Sequence, residues 1–257
     1  MSDQPPILDS VYFDRWYSDM ETSPVKDALQ ARHLGTPADY VAITGFLPWE
    51  ALDEISAELR LSPGGLLADI ACGRGGYGIA VAKRSGARLS GVDFSAVALK
   101  QAQLAAATLL GEGWAQFTEG TFTSTGLAES TVDALLCTDS VQFAEPRVDA
   151  LTEFRRVLRP GGRLALTTWQ AIRPDPALPT RLRNLDLRRD LQAAGFTEIV
   201  VARRARWLAL ERALHEEAVS LPNDGEDAAL ADLQAESVRS LSTFGSIQRI
   251  VVFATAP

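Results

Sequence analysis

A glycine-rich turn between an apolar run and a helical segment constrains this chain more than any other feature of its sequence. The apolar run, residues 66–71, carries one carboxylate, Asp69, and leads into Cys-Gly-Arg-Gly-Gly at residues 72–76. Glycine lets the backbone turn sharply and lets a ligand approach main-chain atoms. The start of the following helix offers unpaired N–H groups and partial positive charge. The order of strand, tight loop and helix predicts an α/β fold with a ligand site at the loop.

The details of this loop indicate which ligand it holds. Gly73, Gly75 and Gly78 spell G-x-G-x-x-G, which alone is a weak signal for a dinucleotide. Asp69 favours a ligand that carries an amino group. Here the sequence resembles the class I S-adenosylmethionine-dependent methyltransferases, whose first motif is an apolar strand, Asp or Glu, then x-x-C/G-G-x-G. The resemblance implies that Asp69, Ala71, Gly73 and Gly75 hold the methionine portion of S-adenosylmethionine; a glycine-rich turn without a ligand is the alternative.

The composition is that of an ordinary globular protein and argues against several classes of partner. Of 257 residues, 46% are hydrophobic and 23% charged, and the net charge is −8. Binding nucleic acid needs a basic footprint, which this charge does not provide. Cys72 and Cys137 form no zinc spacing or disulfide framework. No run reaches membrane-spanning length, and the first residues lack a signal-peptide pattern. We expect a cytoplasmic protein with no metal, nucleic-acid or membrane partner.

The residues ahead of the first strand are predicted to be helical. Aromatic side chains recur at helical spacing between Phe13 and Met20. Residues 36–45 have the N-cap, first-turn proline and terminal glycine of a second helix, and a third begins at Pro48. Because residues 1–63 are too few for a comfortable domain of their own, we expect them to pack on the remainder as a helical lid or cap.

From residue 64 onward the pattern alternates between apolar strands and helices. The predicted strands are 66–71, 87–93, 115–118, 132–137, 162–168, 197–203 and 248–255. This alternation indicates right-handed crossovers and a parallel sheet covered on both faces. The resemblance implies a Rossmann-like, doubly wound, seven-stranded sheet, mostly parallel with the last strand antiparallel. A helical insertion at about 205–246 would join residues 1–63 as a lid over the crevice; covering an edge of the sheet is the alternative.

Two further positions concern the nucleoside part of the cofactor. Asp93 ends the second predicted strand, where a carboxylate can accept hydrogen bonds from both ribose hydroxyls. The resemblance gives Asp93 that role and places Phe94 beside the adenine; capping the next helix is the alternative, although Ser95 suits the cap. Related enzymes often carry Gly-Asp after the third strand. This chain has Gly-Thr-Phe there, so Thr121 and Phe122 are the candidates for the adenine contact, and an ordinary loop is the alternative.

The remaining candidates concern the acceptor and closure of the site. Asp139 follows the fourth strand, where the resemblance places the sulfonium and the acceptor; it is expected to orient one of them or to act as a base, and capping a short helix is the alternative. Tyr17 is the candidate for closing over the cofactor, and an ordinary core position is the alternative. His33 is the outside candidate for a base, although a helix C-terminus alone favours a histidine. His215 and Glu211 are expected on a solvated helix face.

These observations favour S-adenosylmethionine-dependent methyl transfer to a small molecule. The N-terminal aromatic helix and the overall pattern of the chain are similar to those of actinobacterial methyltransferases of natural-product pathways. A nicotinamide-dependent oxidoreductase is a rival, disfavoured by Asp69 and by the lack of an evident Tyr-x-x-x-Lys set. A protein that binds S-adenosylmethionine without transferring its methyl group is a second rival. Catalysis is expected mainly from positioning, and the sequence does not indicate the acceptor atom.

Overall fold

The central feature of the fold is one mixed sheet of seven strands in the order β3-β2-β1-β4-β5-β7-β6. The computed structural model describes residues 9–19, 23–40, 43–223 and 225–257. The strands are β1 Leu66–Ile70, β2 Arg88–Asp93, β3 Ala115–Glu119, β4 Val132–Thr138, β5 Leu158–Ala171, β6 Thr197–Arg203 and β7 Ile247–Thr255. Strands β1 to β5 pair in parallel, and β7 pairs antiparallel with both β5 and β6. The predicted Rossmann-like, doubly wound sheet is confirmed.

Helices cover both faces of this sheet and add a layer at one edge. In the described ranges they are α1 Ser10–Asp19, α2 Pro24–Leu29, α3 Ala51–Leu59, α4 Gly76–Ser85, α5 Ala96–Leu109, α6 Arg147–Val157, α7 Thr180–Arg183, α8 Leu187–Ala193, α9 Ala205–Ser220 and α10 Ala228–Leu241. One apolar cluster includes Phe154 and Leu191 on one face, and a second includes Leu52 and Ile79 on the other. Because both faces are covered, the central strands β1 and β4 are buried along most of their length.

The N-terminal region differs from its prediction in one helix. Among the described residues of the predicted helix over 36–45, Ala38–Tyr40 form a 3-10 turn and residues 43–45 are not helical. The side-chain amide of Gln30 donates to the backbone carbonyls of Ile43 (3.3 Å) and Gly45 (3.2 Å). The side chain of Gln30 thus holds residues 43–45 in a non-helical conformation, so the prediction of a helix that ends at Gly45 was wrong. Met20, predicted on the face of α1, lies outside the described residues.

The added helices form a layer of their own, which we call the helical layer: α2, the π-helical turn Gln30–Leu34 that continues it, α9 and α10. Its apolar contacts include Leu29, Leu34, Leu214 and Leu230, with Phe46 from the loop before α3. Trp169, near the end of β5, packs against this cluster. The helical layer therefore lies over the carboxyl edge of the sheet. The division at residues 63 and 64 stays a prediction. Among the described residues no helix is long and apolar enough to span a bilayer.

Candidate active site

The turn after β1 is built from residues with left-handed backbone. Ala71, Gly73 and Gly75 have φ values of 57°, 52° and 76°. Glycine adopts this region at little cost, whereas Ala71 is strained there. The turn lies next to the boundary between β1 and β4, where the strand order reverses, and this boundary is where open α/β sheets bind ligands.

Gly73 and Gly75 are needed in the turn for different structural reasons. A Cβ on Gly73 would lie 2.5 Å from the hydroxyl oxygen of Tyr17, so this glycine admits a close approach from α1. A Cβ on Gly75 would lie 3.2 Å from Ala102, Ile79 and Phe117, so this glycine allows α4, α5 and β3 to pack. A contact of either glycine's backbone with the cofactor stays a prediction.

Asp69 is buried beneath the start of α4. Its carboxylate accepts a hydrogen bond from the backbone N–H of Gly78, and a Cβ on Gly78 would clash with it. Burial, and then the nearby charge of Asp93, raise the pKa of Asp69 to about 8. The side chain thus has a structural partner at the helix N-terminus, which the sequence analysis did not foresee. Its predicted contact with the amino group of a cofactor stays a prediction.

Asp93 joins the end of β2 to the glycine turn. One carboxylate oxygen accepts from the N–H of Gly73 at 2.8 Å and the other from the N–H of Ser95 at 2.9 Å. Burial raises the pKa of Asp93, and these hydrogen bonds oppose that shift. Ser95 caps α5 through the N–H of Ala98 at 3.1 Å, so Asp93 is not needed as a side-chain cap. Its carboxylate lies at the crevice edge, beside the turn.

Helix α1 covers this corner of the site. Asp14 accepts from the hydroxyl of Ser95 at 2.5 Å and from the N–H of Val97 at 3.2 Å, which docks α1 on the start of α5. Phe13 packs edge-to-face on Phe94 with centroids 5.4 Å apart. Tyr17 is buried against Gly73. The predicted candidates Tyr17 and Phe94 are therefore brought to one place, together with Asp93.

The two candidates for the adenine contact, Thr121 and Phe122, have different surroundings. Thr121 is exposed and exchanges backbone hydrogen bonds with Ser124 in a tight turn. Phe122 packs against the core on Phe154, with centroids 6.5 Å apart. The ring of Phe122 thus has a structural place in the core, and a role for either residue at the adenine stays a prediction.

Asp139 forms the crevice wall after β4. Its φ is 53°, and its N–H donates to the carbonyl of Thr167 at 3.0 Å. Its carboxylate accepts from the Thr167 hydroxyl at 2.7 Å and from Nη2 of Arg249 at 2.9 Å. Both carboxylate oxygens are engaged, so the Asp139 side chain is held in one orientation. Ser140 begins the short 3-10 turn Val141–Phe143, which the Asp139 side chain does not cap.

The residues that hold Asp139 in place carry no recognisable signal in the sequence. Arg249 is fully buried, its Nε lies 3.5 Å from Glu211, and its guanidinium carbon lies 4.3 Å from the ring centroid of Trp169. The indole N–H of Trp169 donates to both oxygens of Glu211, at 2.9 and 3.0 Å. Arginine in a final strand gives no local signal, and pairing it with Glu211 requires knowing that β7 runs antiparallel.

His215 and Glu211 overturn the prediction of a solvated helix face. His215 is fully buried and Glu211 is 2% exposed, because α10 and the loop containing Phe46 cover this side of α9. The Ser237 hydroxyl donates to the carbonyl of Leu233 at 2.6 Å, so it must accept from Nδ1 of His215 at 2.7 Å. A neutral His215 therefore carries its proton on Nδ1.

His33 has a partner in the helical layer. Its Nε2 lies 2.6 Å from a carboxylate oxygen of Glu217 on α9, and Arg32 pairs with the same carboxylate. Among the described residues no hydrogen bond joins His33 to Asp139, and the role of His33 as a base stays a prediction. Over the same ranges no group of three or more metal-ligating side chains is placed to hold a metal ion.

The residues present fit a nucleoside cofactor with an amino-acid end. Gly73 is the point where a Cβ would fill the approach to the turn, and Asp93 offers a carboxylate for hydroxyl groups. The buried hydroxyl of Thr138, at the end of β4, has no hydrogen-bond partner among the described residues. An orphaned polar atom at a crevice wall is a place where a ligand can supply the missing bond.

Comparison with known proteins agrees with this geometry. Residues 68–166 match the family model described as a methyltransferase domain. A botryococcene C-methyltransferase of Botryococcus braunii is 33% identical over 111 residues, covering 43% of this chain and 29% of that protein. An O-methyltransferase of Aspergillus sclerotiorum is 27% identical over 113 residues, covering 44% of this chain and 43% of that protein. The chain thus spans less than half the length of these curated relatives.

Solved structures share the fold along nearly the whole chain. The [4+2]-cyclase SpnF has a TM-score of 0.71 at 21% identity and covers 100% of this chain and 99% of its own. The geranyl diphosphate C-methyltransferase of Streptomyces coelicolor A3(2) has a TM-score of 0.70 at 18% identity and covers 99% of this chain and 100% of its own. Residues 68–166 thus match a methyltransferase domain, and the chain has the fold of these solved structures.

Proposed function

We propose that this protein transfers the methyl group of S-adenosylmethionine to a small-molecule acceptor of secondary metabolism. The observation that carries the proposal is the 2.8 Å contact between Asp93 and the N–H of Gly73. It brings a carboxylate suited to ribose hydroxyls next to a glycine turn suited to the methionine end. The methyltransferase relatives support the same reaction. The net charge of −8 supports a small molecule over nucleic acid, and two free cysteines suit a reducing cytoplasm.

When bound, S-adenosylmethionine supplies an activated methyl group on its sulfonium. The chain's own residues bind and orient: Asp93 accepts from ribose hydroxyls, and the backbone of Gly73 and Gly75 lies against the methionine portion. Tyr17 covers that portion from α1. Asp139, held by Arg249, orients the acceptor or the cofactor. Because Thr167 and Arg249 fix the direction of the Asp139 carboxylate, this side chain is suited to orienting a ligand, and we expect the rate to come mainly from positioning.

Calorimetry separates this proposal from the nicotinamide rival. We expect S-adenosylhomocysteine to bind the wild-type protein and NADH not to bind. Binding of NADH without binding of S-adenosylhomocysteine would overturn the proposal.

A transfer assay separates it from a protein that binds the cofactor for another reaction. Labelled-methyl transfer should be measured over a panel of small phenols, amines and enols. Production of S-adenosylhomocysteine that depends on an acceptor is the expected result. Tight cofactor binding, together with conversion of a polyene probe and no methylated product, would favour the non-methylating alternative. A [4+2]-cyclase shares this fold.

A further inference from the structure

Arg249 is the third residue of β7, yet it lies at the edge of the sheet where the parallel strands end. Strand β7 runs antiparallel to β5, and Arg249 is directly opposite Trp169 in the pairing. The first residues of β7 are thus at the carboxyl edge of the sheet. The end of β4, with Asp139, is at the same edge, and helix α9 crosses above it.

One guanidinium therefore touches three separate parts of the protein. Its Nη2 donates to Asp139 of the crevice wall at 2.9 Å, and its Nε lies 3.5 Å from Glu211 of α9. Its plane lies over Trp169 of β5. The side chain has no exposed surface, so no solvent replaces either carboxylate if one of them moves away. Removing one partner of a buried ion pair is costly for this reason.

Asp139 needs such a hold because its backbone is in a sparsely populated conformation. Its φ of 53° persists only where surrounding contacts over-determine it. The Thr167 hydroxyl and Arg249 fix its carboxylate, and the amide of Gln142 donates to its carbonyl at 2.6 Å. Of these contacts, only the one through Arg249 also reaches the helical layer.

We propose that Arg249 is a positioning residue that couples the placement of helix α9 to the shape of the crevice wall at Asp139. With α9 in place, Glu211 and Asp139 share the guanidinium and the wall has the form seen here. When α9 moves away, the guanidinium loses one counter-charge, and Asp139 and its turn readjust. The role in catalysis rests on the proposed function, because it assigns the cofactor to this crevice.

Hydrogen exchange tests the coupling without any ligand. Glu211→Gln keeps the shape of the side chain and leaves Arg249 paired with Asp139, so the variant should fold. We expect exchange to accelerate about tenfold or more in residues 138–143, with which Glu211 has no hydrogen bond or ion pair among the described residues, since removing the counter-charge of a buried guanidinium costs at least about one factor of ten. In the reverse direction, Asp139→Asn should accelerate exchange in residues 205–220.

Matched controls separate coupling from general loosening. Glu217→Gln is on the same helix and loses the contacts with His33 and Arg32, so it should accelerate exchange in residues 205–220 but not in 138–143. Asp133→Asn is near the opposite end of β4 and should leave residues 205–220 unchanged. If Glu211→Gln leaves 138–143 at the wild-type rate, or behaves as Glu217→Gln does, the coupling is disproved.

S-adenosylhomocysteine distinguishes this inference from the proposed function. In the wild-type protein it should slow exchange in both segments, whereas in Glu211→Gln it should protect 138–143 alone. Protection of both segments in the variant would overturn the inference. Lack of any binding to the wild-type protein would overturn the proposed function, while the ligand-free exchange rates would still decide the coupling.

Discussion

The hydroxyl oxygen of Tyr17 lies only 2.5 Å from the position that a Cβ on Gly73 would take. An aromatic side chain from the N-terminal helix is thus in close contact with the turn that follows the first strand. Arg74 strengthens the contact, because its guanidinium donates to the carbonyl of Tyr17 at 2.9 Å. The glycine motif and the aromatic helix, some fifty residues apart in the sequence, form one structure.

Replacing Gly73 with alanine should abolish this close approach. The added methyl meets the Tyr17 hydroxyl, and a φ of 52° is itself strained for alanine. We expect affinity for S-adenosylhomocysteine, measured by calorimetry, to fall at least about tenfold, or about 1.4 kcal/mol. Gly64→Ala is the control, since Gly64 has a φ of 80° with nothing within 4 Å of its Cβ position. Equal affinities in the two variants would show that neither the strain at residue 73 nor the approach of Tyr17 matters to the site.

Replacing Asp93 with alanine should weaken cofactor binding by at least about tenfold. A hydrogen bond to a charged group contributes about 1.5–3 kcal/mol, and Asp93 also orients the Gly73 N–H. The measurement is the dissociation constant of S-adenosylhomocysteine. Glu119→Ala, at an exposed carboxylate that ends the neighbouring strand β3, should bind as the wild type does. An unchanged constant for Asp93→Ala would remove Asp93 from the site.

Asp69 should make the folded protein sensitive to rising pH. Its pKa of about 8 in the folded state exceeds the ordinary value near 4 of the unfolded chain, so the folded protein holds a proton that the unfolded chain has released. Between about pH 4 and pH 8, each pH unit therefore lowers the free energy of unfolding by up to about 1.4 kcal/mol. Above pH 8 the effect levels off.

Urea denaturation of the wild type and Asp69→Asn over pH 5 to 9 measures this effect, because other titrating groups are common to both proteins. The difference between the two unfolding free energies should change in favour of the variant up to about pH 8 and then stay constant. Parallel curves over the whole range would show that Asp69 has an ordinary pKa in the folded protein.

Asp14 should determine how firmly α1 is docked. Asp14→Ala removes the acceptor of the Ser95 hydroxyl and of the Val97 N–H. Helix α5 keeps its own cap in Ser95, so the loss falls on docking and should be about 1–2 kcal/mol. We expect proteolytic cleavage within residues 10–19 to accelerate about tenfold.

Asp19→Ala provides the matched control on the same helix, because Asp19 is exposed and pairs only at 3.7 Å with Arg15. Cleavage of this variant should proceed at the wild-type rate. Faster cleavage in both variants would mean that loss of helix stability, rather than loss of docking, explains the effect.

Local patterns in the sequence were sufficient for the sheet. Strand β1, for example, is Leu66–Ile70 where residues 66–71 are predicted, because a buried parallel strand is a continuous apolar run that ends at turn residues. Strand β5 differs, beginning at Leu158 rather than residue 162, since Leu158 pairs with Val132 across a register shift. The helix predicted at residues 36–45 is missing for a similar reason: the side-chain amide of Gln30, 13 residues before Ile43, donates to the backbone carbonyls of Ile43 and Gly45. Such long-range contacts leave no periodic signal.

The sequence by itself determined the α/β order, the glycine turn, and the acidic residues at the ends of β2 and β4. Each of these depends on neighbours in the chain, through glycine's backbone freedom or the alternation of apolar runs. Only the tertiary structure decided that His215 and Glu211 are buried and that Arg249 holds Asp139. The physical reason is that burial and ion pairing depend on which elements meet in space. Here an antiparallel last strand brings residue 249 beside residue 139, and no local pattern encodes that meeting.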